Sequence, residues 1–191
     1  MPSKLESALL LAALGFRIFP LIPNSKKPAI ARWRQRSTSD DAQIRAWWSA
    51  DPERNIGIDT AGLIAIDVDN KGEKRGGESL QLLQMMWGDL PDTYRQRTPT
   101  GGQHIVFKGD ARNSASRIAA GIDVRGTGGY IVGAGSTIDG ADYAAEHAAP
   151  VAAAPQWIVD QCEPADLSPP DRAPATELDN PSAINRALEF L

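Results

Sequence analysis

Cysteine and histidine are the two rarest residues in this chain of 191 amino acids. The single cysteine, Cys162, excludes an internal disulfide framework and any metal site built from several cysteines. The two histidines are His104 and His147. His147 lies in an acidic, alanine-rich stretch, which argues against an iron site made of two histidines and one carboxylate.

Long apolar runs are also missing, although 42% of the residues are hydrophobic, as in a globular protein. No run reaches the roughly 20 apolar residues that a membrane-spanning helix needs. The amino-terminal stretch carries Glu6 and leads into an ordinary helix pattern rather than a signal peptide. We therefore expect no membrane partner and a cytoplasmic location, in a bacterial or viral setting.

The net charge of −4 conceals an asymmetry along the chain. Residues 1–125 hold 18 Lys and Arg against 14 Asp and Glu, whereas residues 126–191 hold 2 against 10. A basic amino-terminal part suits a polyanionic substrate. Chance segregation together with an acidic tail would give the same pattern.

Hydrophobic periodicity predicts both helices and strands, in a chain long enough for a core of ordinary size. Helical patterns cover residues 3–14, 38–49, 76–87 and 152–161. Strand patterns cover residues 16–22, 55–59, 63–69, 94–98, 103–107, 121–126 and 130–133. Pro20 marks the first of these strands as an edge or a bend, and the short turn at 60–62 predicts that the strands on either side of it form a hairpin.

The composition divides the chain into three parts. Residues 1–162 form one predicted domain, and residues 163–181, rich in Pro, Ala and Asp, form a linker. Residues 182–191 begin a helix with Ile184, Leu188 and Leu191 on one face. Because a helix this short is marginal alone, we expect a further helical module downstream in a larger protein.

A basic loop surrounds Trp33. Lys26 and Lys27 precede the tryptophan, and three arginines lie beside it in residues 32–36. These cations could grip phosphates while the indole stacks a base. A solvated surface loop explains the same residues, so both readings stay open here.

Two aspartates, Asp67 and Asp69, end the strand predicted at 63–69. Side chains alternate along a strand, so the two carboxylates emerge on one face, roughly 7 Å apart at their Cα atoms. Like charges at that spacing repel each other, and Mg²⁺ or Mn²⁺, which prefer oxygen ligands, would neutralise them. Alternatively, both aspartates only end the strand and begin a solvated turn.

Two further polar features follow in order, the turn Gly101-Gly102-Gln103-His104 and then Asp123. Each alone is unremarkable, since a lone histidine is commonly satisfied by its neighbours. Together, three aspartates and a histidine at strand ends indicate a two-metal site for phosphoryl or nucleotidyl transfer.

At these motifs the chain resembles the primase–polymerase (prim-pol) domain of the archaeo-eukaryotic primase superfamily, found in replication proteins of plasmids, phages and mobile elements. The resemblance covers about residues 5–160. Its motifs are Ile66-Asp67-Val68-Asp69, Thr98-Pro99-Thr100-Gly101-Gly102-Gln103-His104, Ile122-Asp123-Val124-Arg125-Gly126 and Gly128-Gly129-Tyr130-Ile131-Val132. Many members have Pro before the serine that corresponds to Ser136, where this chain has Gly135.

The resemblance implies an α+β fold, with a two-layer catalytic core that is related to the RNA-recognition-motif fold and has a mixed or antiparallel sheet, preceded by a small αβ unit. It implies a DNA primase and polymerase that makes or extends primers from dNTPs or NTPs on single-stranded DNA, in a bacterium or encoded by a phage or plasmid. A helicase or helical module would follow in the full-length protein.

The same resemblance assigns the site residues. Two Mg²⁺ or Mn²⁺ ions would be held by Asp67, Asp69 and Asp123. The phosphates of the incoming nucleotide would be contacted by His104, Gly101, Gly102, Arg125, Lys26 and Lys27.

Two other functions remain open at this point. A metal-dependent nuclease or phosphodiesterase would use the same carboxylates with water as the attacking group. A catalytically silent nucleic-acid-binding adaptor would need only the cations, and it would gain nothing from three carboxylates that repel one another.

Overall fold

The structure is a computed structural model that describes residues 2–162. The helices are α1 (Lys4–Ala13), α2 (Trp33–Arg36), α3 (Asp41–Ala50), α4 (Gly76–Trp87) and α5 (Gln156–Cys162). The predicted linker at 163–181 and the helix expected from residue 182 lie outside the described residues.

The strands carry most of the architecture. They are β1 (Ile18–Leu21), β2 (Asn55–Asp59), β3 (Leu63–Val68), β4 (Arg95–Arg97), β5 (Gln103–Lys108), β6 (Ser114–Ala119), β7 (Ile122–Arg125), β8 (Tyr130–Val132), β9 (Thr137–Ile138), β10 (Ala141–Asp142) and β11 (Ala144–His147). With the helices they confirm the predicted α+β class.

The larger sheet has six strands in the order β11-β4-β5-β3-β7-β6. Every neighbouring pair is antiparallel, and β3 lies between β5 and β7. Ile64, Ile66 and Val68 of β3 pack in one core cluster with side chains of α4 and α5. Because side chains alternate along a strand, Ala65 and Asp67 point to the opposite face.

A smaller sheet has the order β1-β2-β8. Its β2 is buried along its whole length, and Ile56 and Ile58 pack in one cluster with α1, α3 and Val106 of the larger sheet. Pro20 lies in β1, an edge strand, as predicted, where its missing N–H costs no ladder hydrogen bond.

The predicted hairpin of residues 55–59 and 63–69 is wrong. Strand β2 pairs with β1 and β8, while β3 pairs with β5 and β7, so the two strands belong to different sheets. Thr60 anchors the crossing, since its Oγ1 donates to the carbonyl oxygen of Gly126 at 2.7 Å. A turn motif indicates that the chain changes direction, but it does not say which strand becomes the neighbour.

The helix predicted at the amino end of the domain is present, and the one predicted at the carboxyl end needs a correction. A capping box begins α1, because the Ser3 N–H donates to Glu6 and the Glu6 N–H donates to the Ser3 Oγ. The helix predicted at 152–161 begins only at Gln156. Residues 152 and 154 instead exchange backbone hydrogen bonds with Lys108, which holds them extended. Within residues 2–162 no helix is long and apolar enough to cross a membrane.

Candidate active site

The strand register places three polar side chains opposite one another. Asp67 on β3 pairs with His104 on β5 and with Asp123 on β7. Directly opposed residues in an antiparallel sheet have Cβ atoms about 4.5–5.5 Å apart, so all three project together from one face. Two positions further along the same strands, Ala65, Val106 and Arg125 point to the same face. Ala65 and Val106 belong to the core between the two sheets, so the polar side chains lie beside that core.

Asp67 lies between two donors. The His104 Nε2 is 3.4 Å from Asp67 Oδ1, and an Arg125 nitrogen is 4.0 Å from Asp67 Oδ2. Burial raises the pKa of Asp67, but the facing imidazole of His104 and the guanidinium of Arg125 lower it by more, so the net pKa is lowered. Asp67 is therefore a carboxylate, not a carboxylic acid, near neutral pH.

Asp123 shares its cation with Asp67. Its Oδ2 accepts a hydrogen bond from Arg125 at 3.1 Å, and its Oδ1 accepts one from the Ser116 N–H at 2.9 Å. One guanidinium thus lies close to both opposed carboxylates and partly offsets the repulsion between them, which would otherwise destabilise this pair of strands.

Asp69 lies one residue beyond the end of β3. Its Oδ2 accepts from Lys74 at 2.8 Å and its Oδ1 accepts from the Lys71 N–H at 2.9 Å. The hydrogen bond from Lys74 is the main cause that lowers the pKa of Asp69. The pKa of Lys74 is raised chiefly by Asp69, with smaller contributions from Asp123 and Asp67. This lysine therefore interacts electrostatically with all three carboxylates.

A cleft of about 400 Å³ opens beside Asp67. Of the residues predicted from sequence, Lys26, Asp67, His104 and Arg125 line it. Its other walls are Asn113 and Tyr143, which no sequence signal marked, and the stretch from Gly128 to Val132, a motif of the resemblance that was not among the predicted site residues. Burial, helped by the charge of Asp67, raises the pKa of Tyr143 to about 12, so its phenol stays protonated beside the carboxylate.

The basic loop is fixed against this cleft. The Tyr130 hydroxyl donates to the Lys26 carbonyl oxygen at 2.8 Å, and Arg34 donates twice to the Gly128 carbonyl oxygen. The Trp33 ring stacks on Phe19 with centroids 4.5 Å apart, and the Arg34 guanidinium lies over the same ring. Trp33 therefore packs the loop onto the domain, and base stacking would require these contacts to change.

The other predicted residues do not line the cleft. Lys27, Asp69 and Asp123 are absent from its walls, and so are Gly101 and Gly102. A Cβ on Gly102 would lie 2.2 Å from the Val68 carbonyl oxygen, and Gly101 has a φ of +78°. Both glycines are thus explained by the tight turn that joins β4 to β5.

The loop at residues 133–136 also has a structural role. Ser136 is fully buried, and its Oγ accepts a hydrogen bond from the Ile56 N–H at 2.9 Å. Gly135 has a φ of +91°, and a Cβ there would lie 2.3 Å from the Ser7 side chain. The backbone conformation and the nearby Ser7 side chain therefore require a glycine at position 135.

On the side of the ring away from Asp67, His104 contacts Gln96, a residue that was not among the predicted site residues. Gln96 is fully buried on β4, and its Nε2 lies 2.8 Å from the His104 Nδ1. Polarity at a central position of a short strand, between Arg95 and Arg97, is the only sequence signal for this contact.

The donor chemistry of the carboxylates fits a divalent cation, since Mg²⁺ and Mn²⁺ prefer oxygen ligands. Among the described residues, no three His, Cys, Asp or Glu side chains converge closely enough to hold a metal as they stand. Arg125 and Lys74 explain this, because they pair with Asp123 and Asp69. Both cations would have to turn aside for ions to bind.

Opposed carboxylates beside a cleft lined with cations are typical of phosphoryl- and nucleotidyl-transfer sites. The family model for the amino-terminal domain of bifunctional DNA primase/polymerases matches residues 8–157. The chain belongs to this family, as its motifs predicted, and the family implies an enzyme of the nucleotidyltransferase type that acts on DNA and nucleotides. A search of curated protein sequences found no match.

Proposed function

We propose that this protein transfers nucleotides from nucleoside triphosphates to a primer 3′-hydroxyl on single-stranded DNA, and so makes or extends primers. One observation supports this most directly. Asp67, flanked in register by His104 and Asp123, borders a cleft that also presents Lys26 and Arg125. The proposal thus combines carboxylates for metal binding with donors for a polyanionic substrate.

In this proposal Asp67, Asp69 and Asp123 hold two Mg²⁺ or Mn²⁺ ions. When bound, such ions lower the pKa of a coordinated hydroxyl and stabilise the charge on a phosphoryl group in transfer. The pKa values of Asp67 and Asp69 are lowered, so both side chains are ionised, as carboxylates must be to bind a metal ion.

The remaining groups act on the triphosphate. His104 donates a hydrogen bond to a phosphate oxygen, while Lys26 and Arg125 neutralise its charge from the cleft wall. With ions held by the carboxylates, Arg125 would be free to pair with the phosphates instead. Lys27, Gly101 and Gly102 remain predicted nucleotide contacts at the edge of the site.

The template and primer would approach along the basic amino-terminal part. The cations of the loop at 26–36 lie next to the cleft through the contacts of Tyr130 and Arg34. Phosphate contacts of this kind carry no sequence preference. A helicase or helical module encoded downstream would supply the strand.

We also propose that the larger sheet is related to the RNA-recognition-motif fold. Four of its strands run in the order β4-β5-β3-β7 with α4 packed on one face. The chain forms β6 rather than a helix between β5 and β7, so any kinship concerns the sheet and α4.

The experiment is a primer-synthesis and primer-extension assay on single-stranded DNA, with dNTPs or NTPs and with Mg²⁺ or Mn²⁺. Wild-type protein should incorporate nucleotides, and the Asp67→Asn variant should not. Asp160→Asn, an exposed change on α5, is the matched control and should retain activity.

The same assay separates the proposal from a nuclease. Labelled single-stranded DNA is incubated with metal but without nucleotides. Metal-dependent cleavage that Asp67→Asn abolishes, with no incorporation by wild type, would replace polymerase with phosphodiesterase. Metal-independent DNA binding with neither reaction would favour a silent adaptor.

A further inference from the structure

The side-chain amide of Gln96 has its orientation fixed by backbone groups. Its Oε1 accepts from the Ala134 N–H at 2.9 Å, and its Nε2 donates to the Val132 carbonyl oxygen at 2.6 Å. A backbone N–H can only donate and a backbone carbonyl can only accept. Exchanging the amide oxygen and nitrogen would therefore break both contacts in a fully buried place, where unsatisfied polar groups are costly.

This orientation determines which ring nitrogen of His104 carries the proton. The Gln96 Nε2 has two protons, one for Val132 and one directed at the His104 Nδ1, 2.8 Å away. Nδ1 must then be the acceptor. A neutral imidazole has one donor and one acceptor nitrogen, so the proton lies on Nε2.

The other side of the ring agrees with this assignment. The His104 Nε2 faces Asp67 Oδ1, an acceptor without a proton, at 3.4 Å. That separation is longer than the 2.7–3.2 Å of an ordinary N–H···O bond. The Nε2 proton thus points toward the cleft and makes only a weak hydrogen bond with Asp67.

We propose that Gln96 is a positioning residue that locks His104 as the Nε2–H tautomer, so that the imidazole presents a neutral donor at the cleft and cannot ligate a metal. A metal ligand needs a lone pair, but the Nε2 is protonated and the Nδ1 lone pair is occupied by Gln96. The tautomer follows from the structure alone, whereas its use in binding a triphosphate rests on the proposed function.

The Gln96 amide also links the two sheets. Its partners Val132 and Ala134 lie at and after the end of β8, in the smaller sheet, while His104 lies on β5 in the larger one. The Tyr94 hydroxyl donates to the same Oε1 at 2.9 Å. One amide therefore holds the donor of His104 in place relative to the cleft wall formed by Val132.

The test is long-range ¹H–¹⁵N NMR of the imidazole at a pH where it is neutral. The chain has two histidines, and His147 is half-exposed beside Asp92, so His147→Gln gives a protein with one histidine signal. We expect a pyridine-type Nδ1, a pyrrole-type Nε2, and slow exchange of the Gln96 side-chain NH₂ protons. A pyrrole-type Nδ1, or a mixture of tautomers, would overturn the proposal.

Substitutions in the same background test the cause. Gln96→Glu replaces the donor to His104 with an acceptor and should move the proton to Nδ1, and Gln96→Met should give a mixture. Gln103→Met, which removes a surface hydrogen bond to Glu146, is the control and should leave the tautomer unchanged. A folded Gln96→Glu protein that keeps the Nε2–H form would overturn the role of Gln96. If Gln96→Glu does not fold, rapid exchange of the wild-type Gln96 NH₂ protons overturns it instead.

Titration with dNTP and Mg²⁺ separates this inference from the proposed function. If the lock is correct and the protein binds triphosphate, Gln96→Met should weaken dNTP affinity about two-fold, the factor for a competent tautomer populated by half, while Gln103→Met should not change it. A locked tautomer in a protein that binds no triphosphate would overturn the function and leave the tautomer assignment standing. Unchanged dNTP affinity in Gln96→Met would overturn the positioning role.

Discussion

Asp67 and His104 lie directly opposite each other on β3 and β5, with 3.4 Å between the carboxylate Oδ1 and the imidazole Nε2. In the proposed function Asp67 binds metal and His104 binds the triphosphate, and the two side chains contact each other. Asp67 is ionised, and His104 presents a hydrogen-bond donor. Substitutions at the two positions should therefore affect metal binding and nucleotide binding separately.

Asp67→Asn and Asp69→Asn should each abolish nucleotide incorporation, because an amide cannot supply the charge that a divalent cation needs. The fold should remain, since the substitution keeps the volume of the side chain. Circular dichroism and the primer-extension assay measure the two properties. Incorporation at the wild-type rate in both variants would refute the assigned metal site.

The pH dependence of stability should reveal the environment of Asp67. Its pKa is lowered in the folded protein, so its ionised form stabilises that state above the pKa of the unfolded chain, about 3.9. This contribution is lost as the pH falls through the folded pKa. Between about pH 5 and pH 3, wild type should lose unfolding free energy more steeply than Asp67→Asn, as measured by urea titration without metal. If the unfolding free energies of the two proteins fell in parallel with pH, the ionised Asp67 would not stabilise the folded state.

Arg125 should act as an internal counter-ion in the metal-free protein. Replacing it by Met leaves Asp67 and Asp123 opposed without a guanidinium between them, which should cost about 1 kcal/mol. Mn²⁺ should restore this loss, so the metal-induced rise in Tm should be larger in Arg125→Met than in wild type. Arg45→Met, which removes an exposed pair with Asp41 on α3, is the control for a lost surface charge. An equal metal response in all three proteins would contradict the counter-ion role.

Gly102 should be required for packing. Its Cβ position lies 2.2 Å from the Val68 carbonyl oxygen, and backbone cannot yield as a side chain can. Gly102→Ala should therefore lower the unfolding free energy by about 1–3 kcal/mol. Gly77→Ala on α4 meets only ordinary contacts and should be neutral or stabilising, because alanine favours a helix. Chemical denaturation measures both, and equal stabilities would refute the packing argument.

The candidate site could be predicted from sequence further than the topology could. Asp67, His104 and Asp123 are each unremarkable alone, but their order at strand ends and the family motifs single them out, and the strand register brings them together. The hairpin prediction failed because a three-residue turn does not distinguish strand pairing from a crossing between sheets, and the neighbours of β2 and β3 come from distant parts of the chain.

Gln96 shows a second limit of sequence reasoning. Its four hydrogen-bonding partners are Tyr94, His104, Val132 and Ala134. Two of these are backbone groups more than 30 residues away. Their convergence depends on how the two sheets pack, so no local pattern marks this glutamine as different from any other in a strand.

His104→Ala should weaken nucleotide binding while leaving metal binding nearly unchanged. A hydrogen bond to a charged group contributes about 1.5–3 kcal/mol, and 1.4 kcal/mol corresponds to a factor of ten in affinity. The dNTP affinity should therefore fall by roughly ten-fold to more than a hundred-fold, and incorporation should fall with it. His147→Ala, at the half-exposed histidine outside the cleft, is the matched control and should bind dNTP like wild type. Calorimetry with Mn²⁺ alone and with dNTP measures the two affinities separately. Loss of Mn²⁺ binding with dNTP affinity preserved would make His104 a ligand, and it would favour a metal-dependent hydrolase over a polymerase.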